Sequence, residues 1–167
     1  MIVADRGKAP LERELVITRV FNAPRELVFR LWTHPKHMAQ WWGPKAFTNP
    51  VCEMDVRPGG AIRIVMRGPG GVEYPMAGVF RAIVPPERLV FVSSACEDED
   101  GKPQLEVLNT VIFGKTNGRT KLTLQAVVIK ASPVVAGPLA GMEAGWTQSL
   151  ERLDALVAQL KRPSGTV

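Results

Sequence analysis

The sequence predicts an α+β fold in which a curved antiparallel β-sheet wraps around one long C-terminal helix. Two patterns predict the sheet and the helix. Six apolar segments between residues 51 and 129 are separated by turn residues, and several of them alternate apolar and polar positions. From residue 142 to residue 160, apolar side chains instead recur every three or four positions, as on one face of a helix.

One strand and two short helices are predicted before these segments. The strand covers Glu12–Phe21 and is rich in Val, Ile and Thr. Pro24 then suits the first position of a helix, where its missing N–H is not needed. Pro35 ends that helix, and a second short helix is predicted over Lys36–Trp41. The apolar residues on one face of the first helix are Leu27, Val28, Leu31 and Trp32.

Six further strands are predicted, with strong turn signals between them. Asn117-Gly118 is the clearest signal, because the central positions of a tight hairpin turn favour residues that tolerate positive φ. We therefore expect successive antiparallel hairpins. The predicted strands are Val51–Val56, Ala61–Arg67, Glu73–Val84, Arg88–Ala95, Leu105–Phe113 and Lys121–Ile129.

Alternation with period two separates a helix-facing side of the sheet from a solvent side. Asp55 and Arg57 are predicted on the solvent side, where a structural ion pair is favoured over an acid and an electrostatic clamp for catalysis. The residues predicted to face the helix include Met54, Ile62, Ile64, Met66, Tyr74, Met76 and Phe80.

The C-terminal helix carries a continuous apolar stripe, and Pro138 is expected in its first turn. A stripe this long requires a wide apolar surface, and the curved sheet is the only one that the sequence offers. The stripe consists of Met142, Trp146, Leu150, Leu153, Val157 and Leu160.

Length and composition exclude several classes of protein. The 167 residues suffice for one domain, expected at 12–161 between flexible ends at 1–11 and 162–167. Two cysteines and two histidines cannot form a usual structural zinc site at their spacing, and no metal or cofactor is expected. Without a secretory signal or a long apolar segment, a cytoplasmic location is expected, with both cysteines as small buried residues. His34 is expected to cap a helix end.

The net charge of +5 raises the question of nucleic acid binding. Basic residues are spread along the chain, and no three of them are consecutive. Aromatic side chains for base stacking are not interleaved with them. The sequence therefore disfavours a nucleic acid partner.

Six short motifs occur in the order typical of one family. Together they resemble the activator of Hsp90 ATPase homologue-like branch of the START/Bet v-like (SRPBCC) superfamily, over about residues 12–161. This superfamily has the helix-grip fold, which agrees with the order of elements predicted above. The motifs are residues 19–24 (RVFNAP), 41–44 (WWGP), 55–60 (DVRPGG), Gly78, 86–89 (PERL) and 145–146 (GW).

The resemblance implies an apolar cavity between the long helix and the sheet. It makes a small-molecule binding module the first functional hypothesis, with a lipid, sterol or polyketide-like ligand. A chaperone-interacting domain in stress response is the alternative, although the few residues before the first strand are expected to be too short for the chaperone-binding domain of the eukaryotic relatives. Either a monomer or a homodimer is compatible with the sequence.

Large aromatic and flexible apolar side chains are the candidate ligand-binding residues. Each also has a structural interpretation as ordinary core, which is favoured for Trp32 and Trp146. Trp41 and Trp42 are adjacent and cannot both face one core, so one of them is expected at the cavity mouth. The candidates are Trp32, Trp41, Trp42, Met54, Ile64, Met66, Met76, Phe80, Met142, Trp146 and Leu150.

An enzyme of the cyclase or hydrolase type is a third hypothesis. It requires a polar group with a perturbed pKa inside the cavity. Only Tyr74, Glu106 and Glu143 are candidates for that group. Since the sequence contains no recognisable catalytic triad or phosphate-binding loop, no catalytic residue is assigned.

Overall fold

A computed structural model describes residues 14–161, and the predicted fold class is confirmed. The predicted flexible ends, residues 1–11 and 162–167, lie outside the described residues. The strands are β1 (Glu14–Phe21), β2 (Thr48–Met54), β3 (Ala61–Arg67), β4 (Glu73–Val84), β5 (Arg88–Glu97), β6 (Pro103–Thr116) and β7 (Arg119–Ala131). The helices are α1 (Arg25–Thr33), α2 (Pro35–Trp41), α3 (Ala136–Ala140) and α4 (Met142–Leu160), with a 3-10 turn at Pro133–Val135 before α3.

The seven strands form one antiparallel sheet in the order β1-β7-β6-β5-β4-β3-β2. Pro50 is tolerated in β2 because this strand lies at the sheet edge and pairs on one side only. The predicted Asn117-Gly118 hairpin joins β6 to β7, and both residues have positive φ, 52° and 78°.

The main core lies between the sheet and the C-terminal half of α4. Leu150 and Leu153 are fully buried there, together with Phe21, Leu122 and Leu124 from the sheet. Burial of each such side chain stabilises the fold by about 1.5–3 kcal/mol. This contact holds α4 across the sheet.

A second, smaller core lies under α3. It contains Val107, Val128, Val135 and Leu139, and Met142 at the start of α4 packs against its edge. The main core and the second core are separate clusters. The N-terminal half of α4 contacts both, through Met142 at the second core and Trp146 at the main core.

Several predicted boundaries differ from the structure. Strand β2 runs over Thr48–Met54 instead of Val51–Val56, because Asp55 opens the turn to β3: its N–H donates to the carbonyl of Ala61 at 2.9 Å. Pro138 lies in the separate helix α3 and not in α4, since the chain breaks its helix at Gly141. Strands β5, β6 and β7 extend beyond their predicted ends.

Four side chains are more exposed than predicted. Leu160 is 43% exposed because the last turn of α4 extends past the core, and Tyr74 is 47% exposed near the start of β4. Cys96, expected to be buried, is exposed at the end of β5 with φ of 61°. Cys52 is half-buried, and its burial, with Glu53 beside it, raises the pKa of its thiol to about 11.

Candidate functional site

An open groove of about 550 Å³ lies between the N-terminal half of α4, the loop after α2, and strands β3 to β6. This volume is in the range of small-molecule sites. Its lining is mainly apolar, with a few neutral polar groups and the carboxylate of Glu73. Its lining residues include Trp42, Gly43, Met66, Tyr74, Met76, Ser93, Asn109, Met142, Gly145, Trp146 and Ser149.

Five of the eleven predicted site residues line this groove, namely Trp42, Met66, Met76, Met142 and Trp146. A separate inner void has room for about one water molecule. Four predicted residues lie on that void and not on the groove, and they are Trp32, Met54, Ile64 and Phe80. Trp41 and Leu150 line neither space, and both side chains are completely buried in the main core.

Four tryptophan rings form a cluster at the inner end of the groove. Trp32 stacks on Trp146 with ring centres 5.9 Å apart, and Trp146 meets Trp42 edge-on at 5.3 Å. The adjacent pair divides between two environments. The indole N–H of the buried Trp41 donates to the carbonyl of Leu31 at 2.9 Å, whereas Trp42 is half-buried on the groove.

The guanidinium of Arg152 fastens the Trp42-Gly43-Pro44 loop to α4. Its Nη1 donates to the carbonyls of Trp42, Gly43 and Pro44 at 2.9, 3.1 and 3.0 Å, and its Nη2 donates to the carbonyl of Gln40 at 3.1 Å. These bonds satisfy carbonyl groups at the end of α2, which the helix itself leaves unpaired. Burial lowers the pKa of this guanidinium.

Gly43 brings the same loop close to both α4 and β3. Its N–H donates to Ser149 Oγ at 3.0 Å, and the N–H of Lys45 donates to Gln148 Oε1 at 3.0 Å. The φ of Gly43 is +95°, and a Cβ at this position would lie 2.8 Å from the sulfur of Met66. Only glycine fits this conformation and this contact without strain.

Among the polar residues that build or line the groove, sequence reasoning missed Asn109, Ser149 and Arg152. Asn109 had a signal, since it interrupts the inward-facing series Val107, Val111 and Phe113 on β6. Ser149 also had one: Gly141, just before α4, and Gly145 and Ser149 on α4 form a series of small residues four apart, all on the groove. Arg152 had none, because its acceptors are distant backbone carbonyls.

The candidate groups for enzyme chemistry do not converge. Glu106 lies on the opposite face of the sheet, where Ser94 Oγ donates to its carboxylate at 3.4 Å, and Glu143 is exposed on α4. Tyr74 lines the groove. The carboxylate of Glu73, which also lines it, accepts a 3.0 Å bond from Arg67 Nε.

The remaining predicted polar sites are structural or unassembled. Arg57 Nε donates to Asp55 Oδ2 at 2.7 Å, which is the predicted exposed ion pair. His34 lies at the boundary of α1 and α2 as predicted, although its side chain makes no capping bond. Within residues 14–161, no three His, Cys, Asp or Glu side chains are grouped so as to hold a metal ion.

A sheet wrapped around a long C-terminal helix, with an apolar groove between them, defines a helix-grip domain. The family model described as Activator of Hsp90 ATPase homolog 1-like protein matches residues 22–158, so the chain belongs to this family and the predicted resemblance is confirmed. A comparison with curated proteins found no match.

Solved bacterial structures share the fold along most of their length. A protein from Nitrosomonas europaea is 26% identical, with 92% of this chain and 97% of that chain covered and a TM-score of 0.73. A protein from Chromobacterium violaceum is 29% identical, with 86% and 96% covered and a TM-score of 0.75. The AHSA1 protein from Silicibacter pomeroyi is 26% identical, with 88% and 99% covered and a TM-score of 0.72.

A transmembrane segment is not found among the helices at 14–161, since none is both long and apolar enough to cross a bilayer.

Proposed function

We propose that this protein is a binding module that holds an apolar small molecule, such as a lipid, a sterol or a polyketide-like aromatic, in the groove beside α4. The observation that carries the proposal is the open apolar groove of about 550 Å³. A lining of this extent favours apolar ligands, because burying their surface against it releases the free energy of the hydrophobic effect. The flexible side chains of Met66, Met76 and Met142 would adapt the lining to the shape of a ligand.

Gly145 offers a direct test, because it lines the groove and a Cβ added there meets no atom within 4 Å. Gly145→Leu is expected to occupy groove volume and to weaken binding at least tenfold, while glycine replacement in a helix does not destabilise the fold. Calorimetric titration with fatty acids, sterols and aromatic polyketide analogues measures the affinity.

Two matched variants control this experiment. Gly145→Ala adds only a methyl group, and Gly137→Leu adds the same side chain on α3, at an exposed site away from the groove lining. Both are expected to bind like the wild type. Absence of binding by every compound in the wild type, or equal affinity in Gly145→Leu and Gly137→Leu, would contradict the proposed function.

Chaperone association is a second candidate function, and the family match over residues 22–158 is the observation that favours it. Stimulation of the ATPase of a bacterial Hsp90 homologue by the full chain is the expected result. An ATPase rate that stays unchanged at saturating protein excludes this candidate, and it leaves the proposal on the groove intact.

A further inference from the structure

Asn109 on β6 is a buried polar side chain in a mainly apolar groove. It is only 1% exposed, and it lines the groove. The other buried polar side chains of residues 14–161, Thr120 and Ser149, each use their hydroxyl oxygen in a hydrogen bond. A buried amide needs partners for both its oxygen and its nitrogen.

The nitrogen of Asn109 is fully engaged. Nδ2 lies 3.3 Å from the carbonyl oxygen of Phe91, 3.2 Å from that of Val107, and 3.0 Å from Ser93 Oγ. Because a carbonyl oxygen only accepts hydrogen bonds, these neighbours fix the NH₂ group on their side. The orientation of the amide is therefore set by its surroundings.

The oxygen of Asn109 is left without a donor. Oδ1 is buried and accepts no hydrogen bond from any residue at 14–161. A buried acceptor without a donor is unfavourable. A ligand that donates a hydrogen bond to this oxygen therefore gains more binding free energy than it would by donating to an exposed oxygen.

Ser93 adds a donor next to the same amide, since its Oγ lies 3.0 Å from Asn109 Nδ2. Its Oγ accepts from Asn109 Nδ2, which leaves the Ser93 proton free to point toward a ligand. Ser93 is half-buried and also lines the groove. An acceptor and a donor on the paired strands β6 and β5 match one hydroxyl group, which both donates and accepts.

The charge of the lining narrows the ligand class further. No Lys, Arg or His side chain lines the groove among the described residues, and the carboxylate of Glu73 is paired with Arg67. A carboxylate ligand would therefore enter the groove without a counter-charge. A neutral hydroxyl group meets no such penalty.

Building on the proposed function, we propose that the groove selects neutral hydroxylated ligands, alcohols or phenols, over carboxylates. The hydroxyl donates to Asn109 Oδ1 and accepts from Ser93 Oγ, while the rest of the ligand lies along the apolar wall. The groove thus recognises one hydroxyl group on an otherwise apolar molecule.

Two probes of nearly equal shape test this proposal, 2-naphthol and 2-methylnaphthalene. The ratio of their dissociation constants is measured calorimetrically for the wild type and for Asn109→Leu. Comparing the two ratios cancels the difference in hydration between the probes, because that difference is the same for both proteins. We expect the variant to lose about three- to tenfold of the wild-type preference for naphthol. Thr110→Val, at the next position on the other face of β6, is the control and keeps the wild-type ratio. In the wild type, 2-naphthoate is expected to bind at least tenfold more weakly than naphthol.

The outcomes separate this proposal from the proposed function. Binding of both probes with the same ratio in wild type and Asn109→Leu overturns the hydroxyl site and leaves apolar binding intact. Naphthoate binding as tight as naphthol also overturns it. Failure of every apolar compound to bind the wild type removes both proposals.

A measurement on the wild type alone covers the case in which Asn109→Leu does not fold. If the naphthol hydroxyl found no hydrogen-bond partner in the groove, it would lower the affinity by the same factor by which it lowers the partition of the probe from water into cyclohexane. A wild-type affinity ratio equal to the cyclohexane–water partition ratio of the two probes therefore refutes the proposal, and a ratio shifted at least threefold toward naphthol supports it.

Discussion

The C-terminal half of α4 buries Leu150, Leu153 and Val157 completely or almost completely, whereas the N-terminal half leaves Met142 and Trp146 half-exposed beside an open groove. The same helix crosses the same sheet in both halves. The difference therefore depends on which side chains meet at each end of the helix.

Small residues open the groove from both sides. On α4 and at Gly141 just before it, the positions that line the groove alternate between the larger Met142 and Trp146 and the small Gly141, Gly145 and Ser149. Opposite them, the sheet contributes side chains such as Ser93, Ala95 and Asn109, while Phe21, Leu122 and Leu124 fill the space at the closed end. Side-chain volume thus divides one helix–sheet interface into a stabilising part and a binding part.

The largest effect is expected in the closed half of the interface, where the C-terminal half of α4 covers the main core; the half beside the groove is the open half. Leu153→Ala removes a completely buried side chain that lines neither the groove nor the inner void, and we expect a loss of about 2–5 kcal/mol in the free energy of unfolding. Met142→Ala in the open half is expected to cost less, because Met142 is half-buried. Urea unfolding of both variants measures the difference, and an equal loss would show that the two halves stabilise the fold alike.

The next effect concerns Arg152, which joins the loop of the open half to α4. Arg152→Gln removes donors to four carbonyl groups, and the expected loss is about 1.5–3 kcal/mol, the range for hydrogen bonds to a charged group. Faster amide hydrogen exchange in the Trp42–Pro44 loop should accompany it.

Arg81→Gln is the control, since Arg81 is exposed on β4. It is expected to unfold within about 0.5 kcal/mol of the wild type. If the Arg152 variant is as stable as the control, the loop does not depend on this guanidinium.

A smaller effect is expected at Gly43, where the loop meets Met66. Gly43→Ala places a Cβ at positive φ and 2.8 Å from the sulfur of Met66, and the left-handed conformation alone costs about 1–2 kcal/mol. Gly118 also has a positive φ, +78°, but a Cβ added there meets no atom within 4 Å. Thermal unfolding of Gly43→Ala and Gly118→Ala separates backbone strain from the contact, and identical losses would mean that Met66 moves aside freely.

The sequence predicts the closed half better than the open half. Leu150, Leu153 and Val157 follow the helical period, and their large side chains require burial whatever their partners are. All seven strands and both short helices were predictable for the same reason, since alternation and turn residues are local signals. The ends of the strands were less so, because pairing with a neighbouring strand extends them.

The groove depends on contacts that are distant in sequence. Trp41 and Trp42 are adjacent residues of the same type, so the sequence does not distinguish them. In the structure Trp41 is the core residue, and its indole N–H donates to the carbonyl of Leu31. Likewise, Arg152 and its acceptors are about 110 residues apart. Local periodicity carries no information on such pairs, so it predicts an apolar interface but not where that interface stays open.

The smallest expected effect is a pH dependence at α2, the helix that leads to Trp42. Burial, and then the positive charges of His34 and Arg30, lower the pKa of His37. The unfolded chain therefore binds a proton near the usual histidine pKa of about 6.5, while the folded chain binds it only at lower pH. Stability should consequently fall as the pH drops below that value.

His37→Gln removes this titration, so the variant should lose less stability than the wild type between pH 7.5 and pH 5 in urea unfolding. His34→Gln should reduce the effect only in part, because burial, the largest cause, remains when that neighbouring charge is removed. Equal slopes in the wild type and His37→Gln would show that α2 does not hold His37 away from water. The dependence of the unfolding free energy on pH should be steepest in the wild type, intermediate in His34→Gln and weakest in His37→Gln. The part of the effect that remains in His34→Gln measures the contribution of burial, and the part that is lost measures the contribution of the His34 charge.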